Sequence, residues 1–124
     1  MDKIQSPKYD LEERTQKFAS ECRKFIRLLP KSVSNIEDGK QLARSSGSVA
    51  ANYIEANESL SKKDYYFRVK VCRKEAKESK LWLSICDTGN NIELGEFRKT
   101  LIKEATELTR IFGSIVEKGK NKIN

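Results

Sequence analysis

The stretch LEERTQKFASECRKFIRLL, residues 11–29, decides the fold. Leu11, Thr15, Phe18, Cys22, Phe25 and Leu29 recur at steps of four and three. That spacing puts one face of an α-helix against a core, and Pro30 stops it. Upstream, Asp10-Leu11-Glu12-Glu13 reads as a capping box, with residues 1–9 as an extended arm that includes Ser6-Pro7. Downstream, Ser34-Asn35-Ile36-Glu37 opens a second helix to about Asn57, and Ser61-Lys62-Lys63-Asp64 opens a third. The third runs to Gly89, a natural left-handed cap. After the turn Gly89-Asn90-Asn91, a fourth helix runs from Glu93 to Gly119, with Phe97, Leu101, Ala105, Leu108, Phe112 and Ile115 inward. Helices of roughly 19–27 residues, about 28–40 Å long, joined by short links, make antiparallel neighbours. The expected fold is all-α: an up-down-up-down four-helix bundle over residues 10–119, with a disordered polar tail over 120–124.

The chain has 124 residues, 25 Lys and Arg against 18 Asp and Glu, a net charge of +7 and no histidine. The length allows one small domain. No apolar run approaches the roughly 18 residues of a membrane span, and the N-terminus has no apolar signal core, so a cytoplasmic protein is expected. The absence of histidine removes Ser-His and Cys-His nucleophiles and the commonest general base. No phosphate-binding glycine loop is present. Cys22, Cys72 and Cys86 form no C-x-x-C pair and read as small buried hydrophobes, not as a metal or disulfide framework. No enzymatic activity, catalytic residue, metal site or cofactor is expected.

On the second helix Gly39, Ala43, Gly47 and Ala51 fall four apart, flanked by Ser45, Ser46 and Ser48. Such a stripe either lets a bundle helix approach closely or leaves backbone open to a partner. A glycine inside a helix costs roughly 1 kcal/mol relative to alanine, so Gly47 needs a reason.

The third helix carries the sharpest signal. With about 100° per residue, Tyr65, Val69, Cys72, Ala76, Ser79, Leu83 and Cys86 share one seam. Lys63, Lys70, Arg73, Lys74, Lys77 and Lys80 gather on a flank with Tyr66 among them. Phe67, Val71, Leu81, Trp82 and Ile85 fall nearly opposite the seam. This second apolar face is covered either by a wide core or by another subunit. Between Lys62 and Thr88 eight basic and four acidic residues give a net +4 of the total +7. The basic flank is either a solvated face held by pairs such as Lys74–Glu78 or a phosphate-binding stripe of Lys63, Lys70, Arg73, Lys77 and Lys80, contacting RNA or other nucleic acid without sequence specificity.

The run Gln41-Leu42-Ala43-Arg44-Ser45-Ser46-Gly47-Ser48-Val49-Ala50-Ala51-Asn52-Tyr53-Ile54-Glu55-Ala56 resembles the signature of the bacterial four helix bundle protein family, whose first members are encoded by intervening sequences in 23S rRNA genes. Tyr9 to Thr15, Ser61 to Tyr65 and Lys74 to Leu83 agree with the same family, in the same order. The resemblance implies a left-handed antiparallel bundle and a ring-like homopentamer with a central channel. The family is also similar to the accessory variability determinant of diversity-generating retroelements, a basic pentamer that binds nucleic acid and a reverse transcriptase. The implied partners are therefore further copies of the chain, RNA or other nucleic acid, and a protein partner such as a reverse transcriptase. The alternative is a pentameric scaffold without direct nucleic-acid binding. Phe67, Val71, Leu81, Trp82 and Ile85 are the candidate oligomer contact. Within the signature, Asn52 and Glu55 are expected to bond a neighbouring helix or subunit, and Arg44 to reach Glu55 across chains.

Overall fold

A computed structural model describes the backbone of residues 7–123 and the side chains of residues 11–120. It contains four helices: α1 (Pro7–Leu28), α2 (Val33–Asn57), α3 (Lys62–Ile85) and α4 (Ile92–Ile123). Each helix packs beside its neighbours in sequence, and α4 closes the ring against α1 along its thinnest seam. The links at 29–32, 58–61 and 86–91 are too short for anything but antiparallel neighbours.

All six residues of the α1 face are buried, and Thr15 is satisfied there because its hydroxyl donates to the Leu11 carbonyl at 2.7 Å. The seam of α3 is buried from Val69 through Cys86, with Tyr65 packed at its edge, and Leu101, Ala105, Leu108 and Phe112 of α4 meet it. Ring contacts join the layers: Phe25 meets Phe97 edge-on, and Tyr53 meets Phe112, each at 5.8 Å between centroids.

Helix ends differ from the sequence expectations for local reasons. Helix α1 begins at Pro7, so residues 7–9 of the expected arm are helical and Asp10 is not a cap. Proline suits a first helical turn, where its missing N–H would have no partner anyway. Residues 1–6 lie outside the described residues. The cap of α2 is Ser32, not Ser34: the Ser32 hydroxyl accepts from the Asn35 amide at 3.1 Å. Ser61 does cap α3, accepting from the Asp64 amide at 3.1 Å.

Helix α3 stops at Ile85, short of Gly89, because the chain is captured by Asn35. The buried Asn35 side chain accepts from the Asp87 amide and donates to the Asp87 and Pro30 carbonyls, each at 2.9 Å. Arg98 donates to the Cys86 carbonyl. Gly89 instead takes the left-handed conformation of the following turn, φ +66°, and Asn91 caps α4 by accepting from the Leu94 amide at 2.9 Å. At the other end α4 runs through the expected tail to Ile123. No proline interrupts it, and Lys118 and Lys120 suit a helix C-terminus.

The three cysteines are buried and unpaired with one another. Burial pushes the Cys22 and Cys72 thiols up to about 12 and the Cys86 thiol to about 11. A thiol whose folded-state value is raised supports the fold fully below its unfolded value of 9.0, and that support is lost as pH climbs through the folded value. Denaturant midpoints are therefore expected to stay level from about pH 7 to 8.5 and to fall between about pH 9 and 12. C22A/C72A/C86A should show a shallower fall over the same range; an unchanged slope would remove the thiols as the cause.

Candidate functional site

The basic flank of α3 turns towards α4. Lys63, Lys70 and Lys77 are exposed, while Arg73 and Lys80 are half-buried. Arg73 lies across α4, with its Cδ 3.7 Å from where a Cβ would stand at Gly113. From Lys63 to Lys80 the row spans about 26 Å, the rise of roughly seven base pairs.

Many basic groups elsewhere are neutralised within the chain: Arg14 by Glu104, Lys24 by Glu21, Lys40 by Glu37, Lys99 by Glu96, Arg110 by Glu107 and Lys120 by Glu117. Lys63, Lys70, Lys77 and Lys80 have no carboxylate within ion-pair distance among the described residues, and Arg73 acts only at longer range on Glu117. The Glu117 carboxyl is held below its usual range by its hydrogen bond and charge contact with Lys120. The expected Lys74–Glu78 pair is absent. Lys74 sits 3.8 Å from Glu75 instead, and Glu78 is taken by Arg44.

The five residues of the second apolar face do not make one patch. Leu81 and Ile85 are about half exposed and stand one turn apart. Trp82 packs against the core, its indole Nε1 buried without an acceptor among the described residues, and Val71 is half-buried. Phe67, 59% exposed, lies about 21 Å from Leu81 along the helix, with Lys74 and Glu78 on the surface between them. Angular position alone groups these residues; their axial separation divides them.

The small-residue stripe on α2 is filled by α1. A Cβ at Gly39 would lie 3.1 Å from Ile26 Cγ2, and one at Gly47 would lie 3.0 Å from Arg23 Nη2. Arg23 donates to the Ala19 and Ala43 carbonyls, each at 3.1 Å, and to Ser46 Oγ. On the α3 side the seam is polar: Ser45 and Ser79 share a hydrogen bond of 2.8 Å, and Asn52 accepts from Arg68 at 2.9 Å.

Arg44 has acceptors within its own chain: its guanidinium donates to Glu75 and Glu78 of α3, each at 3.2 Å. Glu75 is almost wholly buried. Sequence spacing could exclude a pairing of Arg44 with Glu55 along one helix, but it held no signal for a partner on the next helix.

The sequence matches a family model described as 23S rRNA-intervening sequence protein, over residues 8–114. The chain belongs to that family. Among solved structures, it is similar to a protein of unknown function from the S23 ribosomal protein family of Bacteroides thetaiotaomicron, with a TM-score of 0.71 and 23% identity over 86% of this chain and 97% of the other. That likeness bears on the fold alone. No curated protein matches the chain.

Removing Arg44 leaves the buried Glu75 carboxylate only the longer contact with Lys74. Arg44→Ala is expected to destabilise the fold by about 1–3 kcal/mol, the cost of leaving a buried polar group without its partner. Its hydrodynamic size should not change, because both partners lie in the same chain. Chemical denaturation and sedimentation check the two halves; a shift in assembly state without loss of stability would restore the inter-chain pairing.

Proposed function

We propose that this chain acts by binding, not catalysis, and that it holds RNA or another nucleic acid by its phosphates along the α3–α4 flank. The observation that carries this reading is the row of unpaired lysines, Lys63, Lys70, Lys77 and Lys80, in a chain that neutralises many of its other cations. Arg73 extends the row. Four or five cations over about 26 Å match a backbone better than a compact anion. Membership in a family named for an rRNA insertion agrees with such a ligand without assigning one.

The chain works as a homo-oligomer in this reading, with Leu81 and Ile85 as the contact between copies. Both are exposed and adjacent, and joining copies repeats the basic row and sums its field. Five copies are what the family resemblance implies. A scaffold that binds only protein is the competing reading, and the same exposed Leu81 and Ile85 favour it.

Binding of a labelled structured RNA and a DNA of equal length, followed across a salt series, tests the proposal. Affinity should fall with a log–log slope of about −3 to −5, from four or five contacts. K63E/K70E/K77E alters only exposed side chains. It should fold normally and lose at least about a hundredfold in affinity at about 50 mM salt. Absence of wild-type binding at that salt would leave the scaffold reading.

A further inference from the structure

At the N-terminal end of α3 the basic row meets an apolar recess. Lys63, Tyr66, Phe67 and Lys70 of α3 and Val116, Gly119 and Lys120 of α4 line a groove of about 250 Å³. Its floor is built by close approach. The Tyr66 ring lies directly over Gly119, where a Cβ would stand 2.4 Å from the ring carbons. Tyr65 meets the Tyr66 ring edge-on, with centroids 5.1 Å apart.

Phe67 is the wall, 59% exposed, and Lys63 and Lys70 flank it on the same helix face at the i−4 and i+3 positions. Lys120 completes the rim, bridged at 2.7 Å to Glu117. Beyond Phe67 the sign reverses: Glu55, Glu58 and Asp64 share the next groove with Phe67 and Arg68.

We infer that this recess takes one unpaired nucleobase, stacked on Phe67, so that the ligand of the basic row is a single strand or a single-stranded loop. This rests on the phosphate-binding reading above. The recess is smaller than the roughly 300–1,000 Å³ that encloses a drug-sized ligand, so it suits one ring system. An exposed aromatic ring beside unpaired lysines is the arrangement by which single strands are held, with bases on rings and phosphates on ammonium groups. A base in a duplex is already stacked and paired, and cannot enter without extrusion. The carboxylates beyond Phe67 repel phosphate on that side, so the strand leaves the recess towards Lys77 and Lys80.

The test is anisotropy titration of the full chain with three strands of equal phosphate count: a single-stranded RNA, its duplex, and an abasic strand. The wild type should bind the single strand more tightly than the duplex or the abasic strand. F67A, altering an exposed ring, should fold normally and weaken single-strand binding about five- to a hundredfold, the range for loss of one base–aromatic stack. Its duplex and abasic affinities should not move. F67Y should restore the preference and F67L should not, which separates stacking from apolar contact. K63E/K70E should weaken all three ligands.

Equal loss on every strand in F67A, or none on any, overturns the base recess while leaving the phosphate row standing. Competition by a mononucleotide at concentrations equimolar with the strand also overturns it, in favour of a free nucleotide. Failure of the wild type to bind any strand overturns both readings.

Discussion

A helix in a ring of four has two neighbours, and α3 carries more on its circumference than two neighbours can cover. Its seam from Val69 to Cys86 is taken by the core. Its α2 side is taken by Ser45, Arg44 and Asn52, and its α4 side by the contacts of Tyr66 and Arg73 over Gly119 and Gly113. What is left faces solvent: a row of lysines, one phenylalanine at one end, and Leu81 with Ile85 at the other. Phe67, Leu81 and Ile85 are the apolar part of that face, each about half exposed.

Helix α2 makes that arrangement possible by being narrow. Gly39, Ala43 and Gly47 admit α1, with Arg23 laid across the stripe. On its other side the Ser45 and Ser79 hydroxyls meet across α2 and α3, and their hydrogen bond closes the seam at that level. Asn35 sets the length of α3 by catching the chain at Asp87, and thereby fixes where its exposed residues fall along the bundle axis.

Much of this was legible in residues 11–29 and their counterparts. Period alone located the buried face of α1, the seam of α3 and the inward residues of α4, because burial along a helix repeats locally. Helix ends were less legible, because they turn on which hydroxyl reaches which amide. Ser32 and Ser34 both suit a cap, and only the geometry selects Ser32. Pairings between helices were not legible: Arg44 finds Glu75 thirty-one residues away, and no spacing rule encodes that. The basic row was visible as composition. That Lys63, Lys70, Lys77 and Lys80 lack carboxylate partners among the described residues was not, because a partner could have come from either helix packed beside α3, as Arg44 does for Glu78.

The glycines of α4 separate what this flank requires from what it merely tolerates. A glycine inside a helix is disfavoured by roughly 1 kcal/mol relative to alanine, so each one raises the question of what displaced a methyl group. At Gly95 a Cβ would meet nothing within 4 Å, and at Gly113 it would make ordinary contact with Arg73 at 3.7 Å. Neither position demands glycine on steric grounds. At Gly119 a Cβ would stand 2.4 Å from the Tyr66 ring, a distance no side chain adopts without moving that ring. The lysines above could be exchanged among solvent-facing positions of α3 with little effect on packing. The Tyr66–Gly119 contact could not, so the apolar floor beneath the charges is the part of this face that the fold itself constrains.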